Sequence, residues 1–408
     1  MSIFSVEISR PGKFGLNTSA VLEMPATWAE FQDAKEKARI TDDKVIYSYE
    51  VLHCEHDWLR PHIPENGNLL ELNLLARRME DYLKDSMDVF DAMVKLESGR
   101  SEGEPIPLPK LINLTFSTEN CHVVGDIASD TQLGKFLFEN DFFTESDAEA
   151  VRARIDAGSP IRDLFALLGK EHRITNGGVL TASGCYVEYD GSVNEVYVPG
   201  EMAYFDRSGA PVVLTVSKGH FNDPGYDNDR QITLNLPATD QQIIAAADAV
   251  GAASLKEIAY SCADCLIPAA KEWLDDTQDI EQVNDFAKTL HHMERHGGVT
   301  EYKALLEAAG CEDMDTALRL TDRIGDLQLN TECSGPEDYG REILHKPHQS
   351  ENGPLDISPF VDHYRFGKAL MEKNNTIETS YGLLSRTDCG PILSQADQPG
   401  MKMGGLGQ

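Results

Sequence analysis

The sequence predicts an α+β protein made of two tandem modules, each built from small mixed αβ domains. Three observations carry this expectation. At 408 residues with 41% hydrophobic content, the chain exceeds the length over which a single core keeps growing. The words Leu22-Glu23-Met24-Pro25-Ala26-Thr27 return as Asn235-Leu236-Pro237-Ala238-Thr239 and open a second series of similar features. Within each series, strand-like apolar-polar alternation gives way to capping residues followed by apolar spacings of three and four.

In the first module, alternation over Ser19 to Met24 predicts a strand. Thr27 then caps a helix, with Glu30 three residues on as a reciprocal capping box requires, and Phe31, Ala34 and Ala38 on one apolar face. A second strand is expected over Lys44 to Leu52. After the loop Arg60 to Gly67, residues Leu72, Leu75, Met79 and Leu83 form the buried stripe of a helix beginning near Leu69, and a shorter helix follows over Ser86 to Leu96. Ser98 to Pro109, rich in Gly, Pro and charge, reads as a boundary. Beyond it Leu111 to Phe116 reads as a strand, Ser117 to Asn120 as a turn and Cys121 to Val124 as the return. Ser129 with Gln132 offers another capping box ahead of Leu133, Phe136 and Leu137. Glu145 to Leu168 carries one or two helices interrupted near Gly158-Ser159-Pro160. Strands around Val179 to Val187 and Glu195 to Val198 come next, then an irregular or hairpin-containing link over Pro199 to Tyr226.

The second module repeats this order with drift. Thr239 and Gln242 stand where Thr27 and Glu30 stood, and Leu255 to Ala259 takes the place of the second strand. Val283-Asn284 through Leu290 matches Leu72-Asn73 through Met79, so Val283, Phe286 and Leu290 form the corresponding buried stripe. Leu318-Arg319-Leu320-Thr321 answers Ile112-Asn113-Leu114-Thr115, and Tyr339-Gly340-Arg341 answers Leu133-Gly134-Lys135, with Gly335 and Pro336 as cap and first helical residue. Tyr381 to Leu384 partners Gly184 to Val187. The expected regions are therefore 1–100, 101–226 including the link, 227–310, 311–392, and a flexible tail over 393–408.

Composition narrows the chemistry. Sixty-eight acidic residues face 36 basic ones, a formal net charge of -32, and acids outnumber bases along the whole chain instead of collecting in one tail. Such a field repels nucleic acid and steers basic partners, with a reach of about 8 Å at physiological salt. Solubility alone also accounts for acidic surfaces, and that reading stands beside the functional one. No apolar run approaches the ~18 residues of a membrane helix, and the N-terminus lacks the order of a secretory signal, so a cytoplasmic protein is expected. Eight cysteines in so long a chain show no dense disulfide pattern.

Catalytic and metal constellations are incomplete. His53, Cys54, His56 and His62 cluster without the spacing of a zinc site, and Cys262-Ala263-Asp264-Cys265 supplies a single CxxC pair open to a redox or metal role. His292 and His296 lie four apart on a helix but lack the adjoining Glu of a metalloprotease. Asp223 to Asp229 lacks the spacing of a calcium loop. No phosphate loop, serine elbow or basic-aromatic patch is present. A hydrolase using His53 and His56 remains a minor alternative; no cofactor and no catalytic residue is expected.

Met24 to Thr27, the helix Gly67 to Glu80, the segments Leu111 to Thr115 and Asn120 to Val124, and Leu133 to Leu137 together resemble the ArdA-type antirestriction proteins, in particular the large ArdA-like proteins of mobile elements in Gram-positive bacteria. The similarity covers residues 17–200 and, more weakly, 230–390. It implies an elongated string of small αβ domains that mimics DNA and blocks type I restriction-modification enzymes without binding nucleic acid or membrane. It also implies a homodimer, or here a monomeric pseudo-dimer, because this chain is about twice the family's usual length. The expected contact acids are Glu65, Glu71, Glu80, Asp81, Asp85, Asp88 and Asp91, with Asp275, Asp276, Asp279, Glu281 and Asp285 in the second module. Leu72, Leu75, Met79, Val283, Phe286 and Leu290 would support them from beneath. An acidic protein-interaction scaffold, or an inhibitor of another defence nuclease without true DNA mimicry, is the alternative.

Overall fold

A computed structural model describes residues 2–13, 15, 17–40, 45–100, 104–189, 191–205, 209–220, 230–274, 279–345 and 360–393. The fold is α+β: helices packed with small three-stranded antiparallel sheets. Strands β1 (Phe4–Pro11), β2 (Asn17–Met24) and β3 (Ser48–Cys54) form the first sheet in the order β2-β1-β3, with helix α1 (Trp28–Lys37) between β2 and β3 in sequence. Helices α2 (Leu69–Tyr82), α3 (Met87–Arg100) and α4 (Leu108–Thr115) follow. Next come β4 (His122–Val124), α5 (Asp130–Glu139), α6 (Glu145–Asp156), α7 (Arg162–Thr175), β5 (Gly178–Leu180) and β6 (Tyr186–Glu188), whose sheet runs β4-β6-β5.

The same order then recurs, except that α6 has no counterpart among the described residues. Strands β7 (Val212–Lys218), β8 (Ile232–Leu236) and β9 (Ile258–Cys265) form a sheet ordered β8-β7-β9, with α8 (Asp240–Ala249) between the second and third strands in sequence. Helices α9 (Ile280–His296), α10 (Val299–Ala309) and α11 (Met314–Leu320) lead to β10 (Leu327–Asn330), α12 (Pro336–His345), α13 (His363–Lys373), β11 (Ile377–Thr379) and β12 (Gly382–Arg386), in the sheet order β10-β12-β11.

Local chemistry recurs as closely as the topology. Thr27 and Glu30 close a reciprocal capping box on α1, as Thr239 and Gln242 do on α8. Asn73, buried on α2, accepts from Ala26 N at 2.7 Å and donates to Ala26 O at 3.0 Å. Asn284 on α9 holds Ala238 with both contacts at 2.8 Å. Met24-Pro25 and Leu236-Pro237 are both cis. Two helix pairs meet backbone to backbone: a Cβ on Gly134 of α5 would fall 2.0 Å from Phe165 O of α7, and one on Gly340 of α12 would fall 2.2 Å from His363 O of α13. Only glycine permits such an approach.

Four expectations are corrected. Leu111 to Phe116 is not a strand: α4 starts after Pro107, whose successors Leu108 and Pro109 form the first helical turn, and Leu111 to Thr115 are all buried. Glu195 to Val198 is irregular. The stretch read as a link contains β7, the central strand of the third sheet, so the region expected to open at residue 227 takes its middle strand from upstream of that point. Strand β1, absent from the sequence reading, plays the same part in the first sheet. At Ser129 only half a capping box forms, because Gln132 Oε1 accepts from Ala128 N and not from the cap's own N–H. The expected tail from residue 394 onward lies outside the described residues.

Compactness divides the chain into two units. One comprises Met1–Val6, Glu23–Ala26 and Tyr49–Phe205; the other comprises Glu7–Leu22, Thr27–Ser48 and Asp206–Gln408. In the first, separate small cores form around Leu133, Leu137 and Tyr186 and around Val151, Phe165 and Leu168. In the second, a large core runs from Val212 through Phe286 and Leu305 to Leu384, beside a small cluster of Cys333, Met371 and Leu383. Helix α1 belongs to this second unit, where Lys303 of α10 meets Asp33 Oδ1 and Glu36 Oε2, each at 3.0 Å, and Tyr381 Oη donates to Asp33 at 2.7 Å. Among the described residues no helix is long and apolar enough to cross a membrane.

Candidate interaction surface

Helix α2 decides which acids of the first half can meet a partner. Asn68 caps it, accepting from Leu70 N, and Leu69 together with every residue from Glu71 to Ala76 is buried. Burial on more than one side removes the outward face that a single apolar stripe would leave at this end. Glu71 is therefore not on the surface: it is 7% exposed and accepts a hydrogen bond from Tyr197 Oη at 2.9 Å. Toward the C-terminal end the helix emerges, and Glu80 and Asp81 are exposed, as are Asp85 in the turn and Asp88 at the start of α3. Glu65 is exposed in the preceding loop.

Asp91 is the second departure from the expected set. It is 5% exposed on the inner face of α3 and pairs with Lys95 one turn later. Another hidden acid draws two more bases: Arg100 and Lys110 both engage Glu97, which is 2% exposed. Lys95, Arg100 and Lys110 held this way neutralise buried carboxylates and are not spent on the outward ones nearby. Glu65, Asp85 and Asp88 make no ion pair among the described residues.

In the second half, Asp279 caps α9 by accepting from Glu281 N at 3.1 Å, and Asp279, Glu281 and Asp285 are exposed. Asp285 is already paired with Lys288 at 2.8 Å. Asp275 and Asp276 lie outside the described residues. The supporting residues Leu72, Leu75, Met79, Val283, Phe286 and Leu290 are all buried beneath these helices.

No family model matches the chain, and no curated protein matches it significantly.

The sequence reading passed over a further acidic element. Helix α6 buries only Val151, and Glu145, Glu149 and Asp156 stand exposed on it, followed by Asp163 and Glu171 on α7. The near absence of an apolar stripe in Glu145 to Asp156 was the available signal, since a helix polar nearly all round faces solvent.

The cysteine and histidine groups behave as packing and surface elements. Burial raises the pKa of the Cys265 thiol well above the ordinary value, with the neighbouring Cys262 adding to the effect, so Cys265 is a poor thiolate at neutral pH. Both are free thiols. Burial likewise raises Cys54, whose Sγ donates to His56 O at 3.2 Å. The His292 and His296 rings lie 4.3 Å apart at the exposed end of α9.

Proposed function

We propose that this protein is a DNA-mimic antirestriction protein that occupies the DNA-binding surface of a restriction-modification enzyme, type I being the class favoured by the family resemblance. The action is steric and electrostatic and uses no catalysis. The observation that carries the reading is the partition of charge over residues 65–110 of a chain with a net charge of -32: Lys95, Arg100 and Lys110 pair with the buried acids Asp91 and Glu97, while Glu65, Asp85 and Asp88 face outward without an ion pair among the described residues. Duplex DNA presents about one charge per 1.7 Å, and an imitator must likewise hold carboxylates on rigid elements over a long surface. The recurrence of one element order in both halves supports a pair of tandem ArdA-like modules, a pseudo-dimer within one chain.

The test is cleavage of unmodified DNA by a purified type I enzyme in the presence of increasing amounts of this protein. Inhibition is expected at low salt, weakening as salt rises and relieved by added non-specific duplex. Failure to inhibit or to bind the enzyme across a salt series removes the proposal for that class. Inhibition that survives neutralisation of the outward acids favours the scaffold alternative instead.

A further inference from the structure

Between the β4–β6 sheet and helices α5 and α7 lies a cavity of about 410 Å³, within the size range of small-molecule sites. Its floor depends on Gly178, where a Cβ would fall 2.3 Å from Tyr186 Oη, so glycine is what lets the tyrosine ring lie across β5. The register pairs His122 with Glu188 and Val124 with Tyr186, which puts these four side chains on one face of the sheet. Helix α5 contributes Leu133, Phe136 and Leu137, and the rings of Phe136 and Phe142 stack with centroids 6.1 Å apart. Phe142 is 64% exposed at the rim.

One wall is polar. Glu188 Oε1 lies 2.8 Å from His172 Nε2 and accepts from Tyr186 Oη at 3.0 Å, while the other carboxylate oxygen has no hydrogen-bond partner among the described residues. An anion would meet both this carboxylate and the field of a chain carrying -32. A neutral apolar guest would fill the space but strip water from the open oxygen without replacing its hydrogen bond. A protonated nitrogen supplies both the donor and the compensating charge, and neighbouring ring faces attract it further. We infer that this cavity binds a small organic cation, an aryl- or alkyl-ammonium whose nitrogen sits on Glu188 and whose apolar body lies against Phe136, Phe142 and Leu137.

The second half keeps the scaffold and lacks this chemistry. Matching Leu133-Gly134-Lys135 to Tyr339-Gly340-Arg341 sets Glu342 at the place of Phe136, and there it accepts from Asn330 Nδ2 at 2.7 Å and from Cys333 Sγ at 3.0 Å. Matching the strands sets Leu383 and Ser385 at the places of Tyr186 and Glu188. The aromatic and carboxylate lining is therefore particular to the first half. The inference is independent of the proposed function.

Calorimetric titration of the full chain with phenethylamine tests it, with phenethyl alcohol and hydrocinnamate as neutral and anionic counterparts. One amine is expected per chain, bound about tenfold more tightly than the alcohol, a charge-assisted contact being worth about that much, with no binding of hydrocinnamate. Glu188→Gln still accepts from His172 and Tyr186, and should lower amine affinity about tenfold and abolish the preference over the alcohol. Phe142→Ala changes only an exposed rim residue, so it reports even if the first variant misfolds, and should weaken the amine about fivefold. The inference is overturned by no amine binding, by hydrocinnamate or the alcohol binding as tightly, by full affinity in folded Glu188→Gln, or by full affinity in Phe142→Ala. It is also overturned by many weak sites insensitive to both substitutions, the signature of diffuse surface charge.

Discussion

The fifth residue of α3 is Asp91 and the fifth residue of α10 is Lys303. Both are buried, at 5% and 3% exposure, on helices that hold the same place in the repeated element order. Asp91 is paired from within its own helix, by Lys95, whose side chain reaches solvent, and its second carboxylate oxygen has no hydrogen-bond partner among the described residues. Lys303 is satisfied from far away in sequence, by Asp33 and Glu36 of α1. One scaffold position thus tolerates either sign of charge, provided that a partner of the other sign is within reach. The range of the partner differs, and with it the consequence: the Lys303 cluster ties α1 into the compact unit that contains the second half.

The largest expected effect separates these two positions. Lys303→Met leaves Asp33 buried with weaker compensation and should cost about 3–5 kcal/mol in urea unfolding, whereas Asp91→Asn should cost about 1 kcal/mol or less. Equal losses would remove the distinction between the two arrangements. Next come Asn73→Ala and Asn284→Ala, each of which orphans a buried N–H and C=O; about 2–4 kcal/mol is expected for both, by the same measurement. A cost at only one position would show that the shared clamp is structural in one half and incidental in the other.

Surface charge gives a smaller contrast. Combining Glu80→Gln, Asp81→Asn and Asp85→Asn should raise the inhibitor concentration needed to block a type I enzyme by about tenfold. Asp279→Asn, Glu281→Gln and Asp285→Asn together should change it about threefold or less, because Asp285 already answers Lys288. The smallest effect is acid sensitivity. Burial raises the pKa of Asp33, but Lys303, Lys37 and the Tyr381 hydroxyl more than offset it, so the carboxyl ionises below its ordinary value. A group with a depressed folded pKa contributes stability above the unfolded value of about 3.9, and that contribution fades as pH falls through the folded one. Thermal melts should therefore drop more steeply below about pH 4 in the native chain than in Lys303→Met.

Helix starts were the most legible part of the fold, because Thr27 and Thr239 announce themselves through side chains that can satisfy only nearby backbone donors. Short apolar runs were the least legible. Leu111-Ile112-Asn113-Leu114 is buried all round, and periodicity cannot tell a strand from a helix when no face is exposed. The same blindness misplaced Glu71, since a helix packed on more than one side hides polar positions that a one-stripe pattern assigns to solvent. Glu80 and Asp81 were readable as outward because the apolar spacing of Leu72, Leu75 and Met79 along α2 fixes their angular position. The cavity beside Glu188 was not readable, because its walls come from strands and helices brought together only by the β4–β6 register and the Gly134 contact.

The glycine contacts at α5–α7 and α12–α13 carry one more implication. Where helices touch through main-chain atoms, the interhelical distance is set by van der Waals contact of the backbones, and side chains on the outer faces have no part in setting it. Each such pair works as a ruler with exchangeable markings. Charges on α7 can be added, removed or inverted while the gap between the helices holds, so a chain of this design can be fitted to a new partner by rewriting its surface alone.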